Sequence, residues 1–246
     1  MVSNNIRQAV YIETNKRILA GFAFVVLMVG AGSVSAKEET DRYRLMLDDV
    51  KTGQLPVGWK TSATNPGGPF AQWVVETDAT NPQHEKILSI VRIQDTSSSV
   101  FNINWAKQVV FQSGELSVRM RANSGKEDQG GGMIWRVLDE NNYYVARYNP
   151  LENNFRLYYV EDGLRNQLAS AEHLISQSKA WAQLKIRHQG QHIQGWFNNT
   201  LAWEVTDAHL PRAGGIGLWS KADAASSFAD LEMHTFPLNT SGKHLK

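Results

Sequence analysis

Arginine and aromatic side chains recur through the segment from Gly130 to Val160. Arg136, Arg147 and Arg156 occur in three runs rich in aromatic and β-branched residues, a composition typical of β-strands. Because successive strand side chains point to opposite faces, alternation places these arginines on one face of a sheet. Guanidinium groups are costly to bury, so this face is expected to be solvated with ion pairs, or to line a groove whose oxygen ligands satisfy the donors.

Aromatic rings among the arginines favour the second alternative, a concave face that binds a sugar or another hydroxylated ligand. Tyr158 shares the face of Arg156. In the motif GLWSKAD, Trp219 and Lys221 share a strand face, and Asp223 follows them. Two interpretations stay open for this motif: a packed ring with a solvated lysine, or an aromatic platform with a donor beside it.

The loop NPLENN lies between the second and third of these runs. The side chains of Glu152 and Asn154 either cap the turns of the loop or reach the ligand face. We retain Asn149 and Glu152 of this loop as candidates, because loops at the rim of a rigid sandwich often carry specificity. The predicted ligand-binding residues are Arg136, Arg147, Asn149, Glu152, Arg156, Tyr158, Trp219, Lys221 and Asp223.

The acidic residues include no recognisable catalytic pair. A family 16-like glycosidase would need carboxylates at alternate positions of one strand, as in E-x-D-x-x-E, and that pattern is absent. Asp230 and Glu232 do share a strand face, but the favoured role of Asp230 is structural, including that of a ligand for calcium. No catalytic residue is assigned, no cofactor is expected to be required, and calcium is the candidate metal.

Two histidines, His188 and His192, flank a tight hairpin turn. No third metal ligand is apparent nearby, so an exposed hairpin tip is favoured over a metal site. The Gly-x-Ser-x-Gly motif of serine hydrolases does not occur.

Short apolar runs bounded by Asn, Pro, Gly or Ser continue along the chain at the spacing of an all-β sandwich. Val100–Ile103 and Val109–Phe111 are two of these predicted strands, and Gly114–Ala122 alternates as a half-buried strand should. Residues 173–178 are predicted as a short helical turn. The tryptophans interpreted as core residues are Trp135, Trp181, Trp196 and Trp203.

Composition supports one globular domain, since 42% of the 246 residues are hydrophobic and 20% are charged. Residues 1–36 carry three basic residues and one acidic residue, so their removal takes the formal net charge from +1 to −1. This near-neutral balance argues against a nucleic-acid partner. The chain has no cysteine, which excludes disulfides, thiolate metal sites and a lipoprotein anchor.

Residues 1–36 have the pattern of an export signal: basic residues, an apolar run over Ile18–Ala31, and small residues ending at Ala36. Cleavage after Ala36 would give a periplasmic or secreted bacterial protein, with membrane contact only through this segment. The alternative is an uncleaved anchor. Residues 37–52 are predicted as a lead-in that includes a short helix or an ill-ordered stretch, 53–236 as the sandwich domain and 237–246 as a tail.

The string GGGMIWRVLDENNYYVARYNPLENNFRLYYVEDGLRNQLASAE, with the later WAQLKIR, WFNNTLAWEVTD and GGIGLWSKADAASSFADLEM, resembles laminin-G-like or concanavalin A-like domains of secreted bacterial proteins. The resemblance is nearest to the 3-keto-disaccharide hydrolase domain family and covers Gly53 to Met233. NYYVARYNPLENNFRLY and GLWSKAD are its most specific parts. It implies a two-sheet antiparallel jelly roll with one concave sheet, a fold that serves lectins, carbohydrate-binding modules and glycosidases alike.

Three functions are consistent with these observations. The favoured one is an exported carbohydrate-binding module that holds its ligand with arginine and aromatic residues of the concave sheet. The second is a glycoside or keto-sugar hydrolase that depends on Asp223, Glu152 or Arg147, with or without a divalent metal. The third is a structural or protein-interaction domain in which the arginines only hydrate the sheet.

Overall fold

The computed structural model describes residues 41–80, 86–174 and 179–236, and within these ranges it contains fifteen β-strands and no helix. In chain order the strands are β1 (Arg42–Arg44), β2 (Lys60–Thr64), β3 (Gln72–Thr77), β4 (Lys86–Arg92), β5 (Phe101–Phe111), β6 (Gly114–Ser124), β7 (Gly131–Asp139), β8 (Asn142–Asn149), β9 (Asn154–Glu161), β10 (Leu164–Ala171), β11 (Ala182–Gln189), β12 (His192–Phe197), β13 (Thr200–Thr206), β14 (Gly214–Lys221) and β15 (Ala225–Thr235).

The strands form two antiparallel sheets. The seven-stranded sheet has the order β10-β9-β8-β7-β14-β5-β2. The eight-stranded sheet has the order β13-β12-β11-β6-β15-β4-β3, with β1 also paired to β15. This arrangement confirms the all-β, two-sheet antiparallel jelly roll predicted from the sequence.

The main hydrophobic core fills the space between the sheets. Alternation in β6 sends Leu116, Val118 and Met120 into this core, as the sequence pattern predicts. From the other sheet, Trp135 and Phe155 meet them and are fully buried. Burial of each large apolar side chain stabilises the fold by about 1.5–3 kcal/mol, so this layer holds the sheets together.

The seven-stranded sheet is strongly curved. The guanidinium carbon of Arg165 in β10 lies 5.8 Å from the ring centroid of Trp219 in β14, and these two strands are four positions apart in the sheet. Four strand spacings in a flat sheet would separate them by about 19 Å. The two edges of the sheet also approach each other at one end, where the Asn65 side-chain amide beyond β2 donates to the Gly163 carbonyl between β9 and β10, at 2.9 Å. We call the inner side of this curve, which faces away from the main core, the concave face.

Several local predictions are wrong. The lead-in contains no short helix among its described residues, and β1 pairs instead with the last strand. Strand β5 is continuous where two strands were predicted. Trp135 and Trp203 are core residues as predicted, whereas Trp181 and Trp196 lie on the outer face of the eight-stranded sheet beneath cationic side chains.

Some predictions fall outside the described ranges. They concern the export signal with its cleavage site, the rest of the chain before residue 41, positions 175–178 of the predicted helical turn, and the tail beyond residue 236. His173 and Leu174, the other two residues of that turn, are not helical. Among the described residues, none forms a helix long and apolar enough to cross a membrane.

Candidate functional site at the end of the concave face

One register row crosses the concave face and brings predicted residues together. Trp219 pairs with Gly132, Gly132 with Arg147, Arg147 with Arg156, and Arg156 with Ser170. Because directly paired residues share a face, Trp219, Arg147 and Arg156 project to the same side of the sheet. The shared face predicted for Arg147 and Arg156 is confirmed, and Trp219, whose place was left open, lies on the same face.

Glycine is required at position 132 because β7 and β8 approach closely there. A Cβ atom on Gly132 would lie 1.8 Å from the carbonyl oxygen of Ala146, far inside van der Waals contact. The row therefore carries no side chain between the indole of Trp219 and the guanidinium of Arg147.

Arg147 is the buried centre of a polar cluster. The residue is only 1% exposed, and its Nη2 contacts both carboxylate oxygens of Glu152, at 3.2 and 3.1 Å. Nε and Nη1 of Arg147 have no hydrogen-bond partner among the described residues. A buried guanidinium is costly without a counter-charge, so Glu152 is essential for keeping this side chain inside the sheet.

Glu152 connects the loop between β8 and β9 to this cluster. Its carboxylate also accepts hydrogen bonds from the side-chain amides of Asn149 and Asn154, at 3.1 and 3.0 Å, and from Nη1 of Arg156, at 2.8 Å. Burial acts to raise the pKa of Glu152, but the Asn154 amide and the two guanidinium groups outweigh it, so the pKa lies below its ordinary value. Glu152 is therefore an anion at neutral pH.

Asn149 has a different part in the same loop. Its side-chain oxygen accepts the backbone N–H groups of Leu151 and Glu152, at 2.8 and 3.3 Å, a capping role that was expected of Glu152 or Asn154 instead. Of the two alternatives for Glu152, contact with the polar cluster is the one observed. Asn149 shapes the turn, and Glu152 reaches the cluster.

The cluster continues towards β14 through a residue that sequence reasoning missed. Asp128 is buried, and its carboxylate accepts a hydrogen bond from Asn149, at 2.9 Å, and pairs with Nζ of Lys221, at 3.1 Å. Asp128 lies in the loop between β6 and β7, next to the equally acidic Glu127, and no local signal separates the two. Ser170 and Glu172 were missed as well, and Asn154 was considered but not retained as a candidate.

On the β10 side, Arg156 completes the network. Its Nε donates to Ser170 Oγ at 3.0 Å, and its Nη2 pairs with Glu172 at 3.3 Å. Glu152, Arg156 and Glu172 have side chains that are 40%, 25% and 44% exposed. We call these three residues the rim.

Asp223 is placed near the cluster but serves the backbone. Its carboxylate accepts the N–H groups of Lys126, Glu127 and Asp128, at 2.7 to 3.2 Å, and so fixes the loop that carries Asp128. Burial would raise the pKa of Asp223, but these backbone donors outweigh it and hold the pKa below its usual value.

Arg136 does not join the cluster, and its assignment to the arginine face is wrong. The pairing register of β7 shifts between Trp135 and Asp139, and Arg136 has a φ of 48° at this bulge. Its buried guanidinium donates to the backbone carbonyls of Gln112, Gly190 and Leu210, at 2.7 to 3.1 Å. A bulge inserts one residue and reverses the alternation that follows, which is why the pattern misplaced Arg136.

The aromatic residues of the concave face are packed rather than open. Trp219 is 1% exposed and lies 5.3 Å from the ring of Phe101, and Tyr158 is also buried. The guanidinium of Arg165 covers them, at 4.4 Å from the Tyr158 ring and 5.1 Å from the Phe101 ring. Of the two interpretations of GLWSKAD, the structure supports the packed ring, but Lys221 is not solvated as that interpretation expected, because its side chain is only 16% exposed and pairs with the buried Asp128. The accessible part of the predicted site is the rim.

The calcium role considered for Asp230 does not fit the structure. Asp230 lies at a bulge of β15 with a φ of 53°, and its two carboxylate oxygens face Nη2 of Arg44, at 3.5 Å, and Nη1 of Arg119, at 3.2 Å. Guanidinium groups occupy the positions that a cation would need. Within the described ranges, no group of three or more His, Asp or Glu residues could hold a metal ion.

His188 is not at an exposed hairpin tip, contrary to the prediction. It is fully buried between the sheets, where its Nδ1 accepts a hydrogen bond from Trp135 Nε1 at 3.0 Å. Burial, followed by the charge of Arg136, lowers the pKa of His188 from 6.5 to about 3. His192 is exposed and pairs with Glu204 at 3.0 Å, so the two histidines do not form a metal site.

No protein-family model and no curated protein matches the chain. Among solved structures, a carbohydrate-binding module from Bacillus subtilis, CBM66, aligns at 16% identity over 71% of this chain and 94% of its own, with a TM-score of 0.56. The exoplasmic/lumenal domain of VIP36 in its Ca²⁺/Man3GlcNAc-bound form aligns at 10% identity over 75% and 86%, with a TM-score of 0.51.

A protein of unknown function from Shewanella oneidensis MR-1 aligns at 13% identity over 90% of this chain and all of its own, with a TM-score of 0.51. At such low identities these likenesses concern the fold. They agree with the two-sheet jelly-roll fold that the sequence resemblance implies.

Proposed function

We propose that this protein is a non-catalytic module that binds a saccharide, or a similar polyhydroxylated ligand, at the rim of the concave face. The observation that carries the proposal is the hydrogen-bonded cluster around Glu152. At the rim, the carboxylate of Glu152 and the guanidinium of Arg156 lie 2.8 Å apart, and both are partly open to solvent. Adjacent planar groups of this kind offer acceptors and donors at fixed positions, which suits neighbouring sugar hydroxyls.

The buried part of the cluster holds the rim in position. Arg147, Asn149 and Asn154 all contact the Glu152 carboxylate, and Ser170 fixes Nε of Arg156. Side chains that are already held by hydrogen bonds lose little conformational entropy when a ligand binds. The buried residues of the predicted set thus act as positioning residues, and the rim makes the ligand contacts.

The similar solved structures support this choice of ligand class. One is described as a carbohydrate-binding module, and another is a lumenal domain with a bound mannose-containing saccharide. A shared fold does not assign residues, so the rim rests on its own geometry.

A hydrolase is less consistent with the rim. Glu152 and Glu172 pair with the two terminal nitrogens of Arg156 and are the two carboxylates of the rim. A glycosidase needs one carboxyl with a raised pKa as the general acid. The pKa of Glu172 is lowered by the Ser170 hydroxyl and by Arg156, and that of Glu152 is lowered as well, so both are anions and neither suits proton donation.

A structural or protein-interaction domain is the second candidate, and the burial of Trp219 and Tyr158 favours it. In that case the cluster only stabilises a sheet whose concave face is already filled. The two candidates differ in one property, which is whether the rim binds a soluble saccharide.

Calorimetric titration of the full chain with a panel of neutral and acidic oligosaccharides tests the proposal. Loss of a charged hydrogen-bond donor costs about 1.5–3 kcal/mol, so Arg156→Ala is expected to weaken binding by about tenfold or more. Arg187→Ala removes an exposed arginine from the other sheet and should leave the affinity unchanged. Absence of binding to every saccharide, or equal affinity of Arg156→Ala and the unmodified chain, would favour the structural candidate.

Export remains part of the proposal. Residues 1–36 would direct the chain out of the cytoplasm, and the signal peptidase would cut after Ala36. N-terminal sequencing of protein recovered from outside the cytoplasm should begin at Lys37, and a sequence beginning at Met1 would instead indicate an uncleaved anchor.

A further inference from the structure

The outer face of the eight-stranded sheet contains an open cavity that the proposed function does not use. The cavity has a volume of about 550 Å³ and lies between the sheet surface and the segments around Thr80 and Lys179. Among the described residues, its lining consists of Thr80, Arg121, Asn123, Lys179, Ala180 and Trp181. We call it the Trp181 cavity. Its volume falls within the range of about 300–1,000 Å³ that small-molecule sites occupy.

Trp181 supplies an aromatic surface to this cavity. The residue is half-buried, immediately precedes β11, and therefore lies beside β6 in the sheet. The guanidinium carbons of Arg119 and Arg121 lie 5.1 and 5.0 Å from its ring centroid. These cation–π contacts fix the indole on the polar sheet surface, where its apolar area is not covered by the hydrophobic core.

Polar groups beside the ring are held in fixed positions. The guanidinium of Arg121 pairs with Asp78 and donates to the hydroxyl of Thr80 and to the side-chain oxygen of Asn123. Asn123 in turn donates to Ser227 Oγ at 2.8 Å, which ties the network to the neighbouring strand β15. Asn123 and Thr80 line the cavity, and protein contacts rather than solvent set the orientations of their side chains.

We propose that the Trp181 cavity is a second saccharide-binding subsite, which receives one pyranose unit with an apolar face on the indole. Asn123, Thr80 and Arg121 contact the hydroxyls at the edge of that unit, and Lys179 contacts the substituent that points to solvent. A pyranose suits this site because it combines one apolar ring face with a rim of hydroxyls, as the cavity combines one aromatic surface with a rim of polar groups.

This subsite is independent of the rim on the concave face. The two lie on different sheets and share no residue. Two separate subsites would let one chain contact two units of a polysaccharide or two chains of it, and the second contact would raise the apparent affinity through effective concentration.

Calorimetric titration of the full chain with cellohexaose, xylohexaose and chitohexaose tests the inference. Trp181→Ala is expected to weaken the binding event at this subsite by about tenfold or more, and Trp181→Phe, which keeps a smaller ring, by about threefold. The matched control is Trp196→Ala. Trp196 is a half-buried tryptophan on the same sheet face, under Lys185 and outside the cavity, so its loss should leave binding unchanged. Urea unfolding of each variant establishes that it is folded.

The outcomes separate this inference from the proposed function. Weaker binding in Trp181→Ala and Trp181→Phe, with Trp196→Ala unchanged, supports the subsite whatever Arg156→Ala does. Equal affinities and stoichiometries of the Trp181 and Trp196 variants overturn the subsite, even where Arg156→Ala weakens binding and so supports the rim. Failure of all three oligosaccharides to bind also overturns it.

Discussion

The outward faces of the two sheets use the same residue types in opposite ways. On the concave face, the curvature of the sheet brings Arg165 over Tyr158 and Trp219, and both rings are buried. On the eight-stranded sheet, Arg121 and Lys185 lie against Trp181 and Trp196, which stay half-exposed. Mixed aromatic and cationic residues therefore do not by themselves mark an open ligand site, because sheet curvature decides whether they line a cavity or fill one.

The largest expected effect compares one tryptophan from each face. Trp219→Ala should lower the free energy of unfolding by about 3–5 kcal/mol, because it leaves a large cavity among buried rings. Trp181→Ala should cost less than about 1 kcal/mol, since its ring is not part of the core. Urea unfolding of both variants measures the difference, and equal losses would mean that the two faces are not packed differently.

The close approach of β7 and β8 on the concave face allows a second comparison, between a tightly packed glycine and one in open surroundings. In Gly132→Ala the new methyl group would clash with the Ala146 carbonyl, so the strands must separate, at a cost of about 2 kcal/mol or more. The control is Gly68→Ala, where a Cβ meets only ordinary contacts with Asp95 at 3.6 Å. Thermal unfolding should show a lower Tm for Gly132→Ala alone. A Gly132→Ala protein as stable as the control would contradict the close packing of β7 and β8.

The free energy of unfolding should depend on pH because a histidine is buried between the two sheets. His188 has a pKa of about 3 in the folded protein and an ordinary value of 6.5 when exposed. The unfolded chain therefore binds a proton first as pH falls, so stability is lost below about pH 6.5, by about 2 kcal/mol between pH 7 and pH 5.

Urea unfolding at several pH values measures this slope. His188→Asn keeps an acceptor for the Trp135 N–H group but cannot be protonated, and it should remove the slope. A slope that persists in His188→Asn would assign the effect to other groups.

A smaller effect is expected at the rim. Glu152→Gln keeps an acceptor but removes the charge that faces the buried Arg147, and it should lower the free energy of unfolding by about 1 kcal/mol. Glu204→Gln is the control, because Glu204 pairs with the exposed His192 on the other sheet and its loss should be nearly neutral. Equal and negligible losses of stability in the two variants would mean that Glu152 does not offset the cost of burying the Arg147 charge.

The sequence predicted the parts of the site that follow from regular alternation. Arg147, Arg156 and Trp219 share a face because β8, β9 and the paired part of β14 keep a constant register across that row. Arg136 was misplaced because a bulge leaves no mark in the hydrophobic pattern. Local alternation equally carries no information on how far a sheet curves, so the burial of Trp219 and the exposure of Trp181 could not be read from it.

Polar pairs between residues far apart in the chain could not be predicted from the sequence either. Asp128 meets Lys221 from a loop more than ninety positions away, and only the closed fold brings them to 3.1 Å. The same holds for Asp230, which was considered as a structural or calcium-binding carboxylate but whose oxygens face Arg44 and Arg119.

The most direct test of the account follows the arginine side chains themselves during saccharide titration. In ¹H–¹⁵N NMR spectra of the full chain, the Nε–H signal of Arg156 should shift progressively with saccharide concentration and saturate, while that of Arg187 stays in place. Saccharide binding that leaves the Arg156 signal unmoved would contradict the proposal that the rim of the concave face holds the ligand.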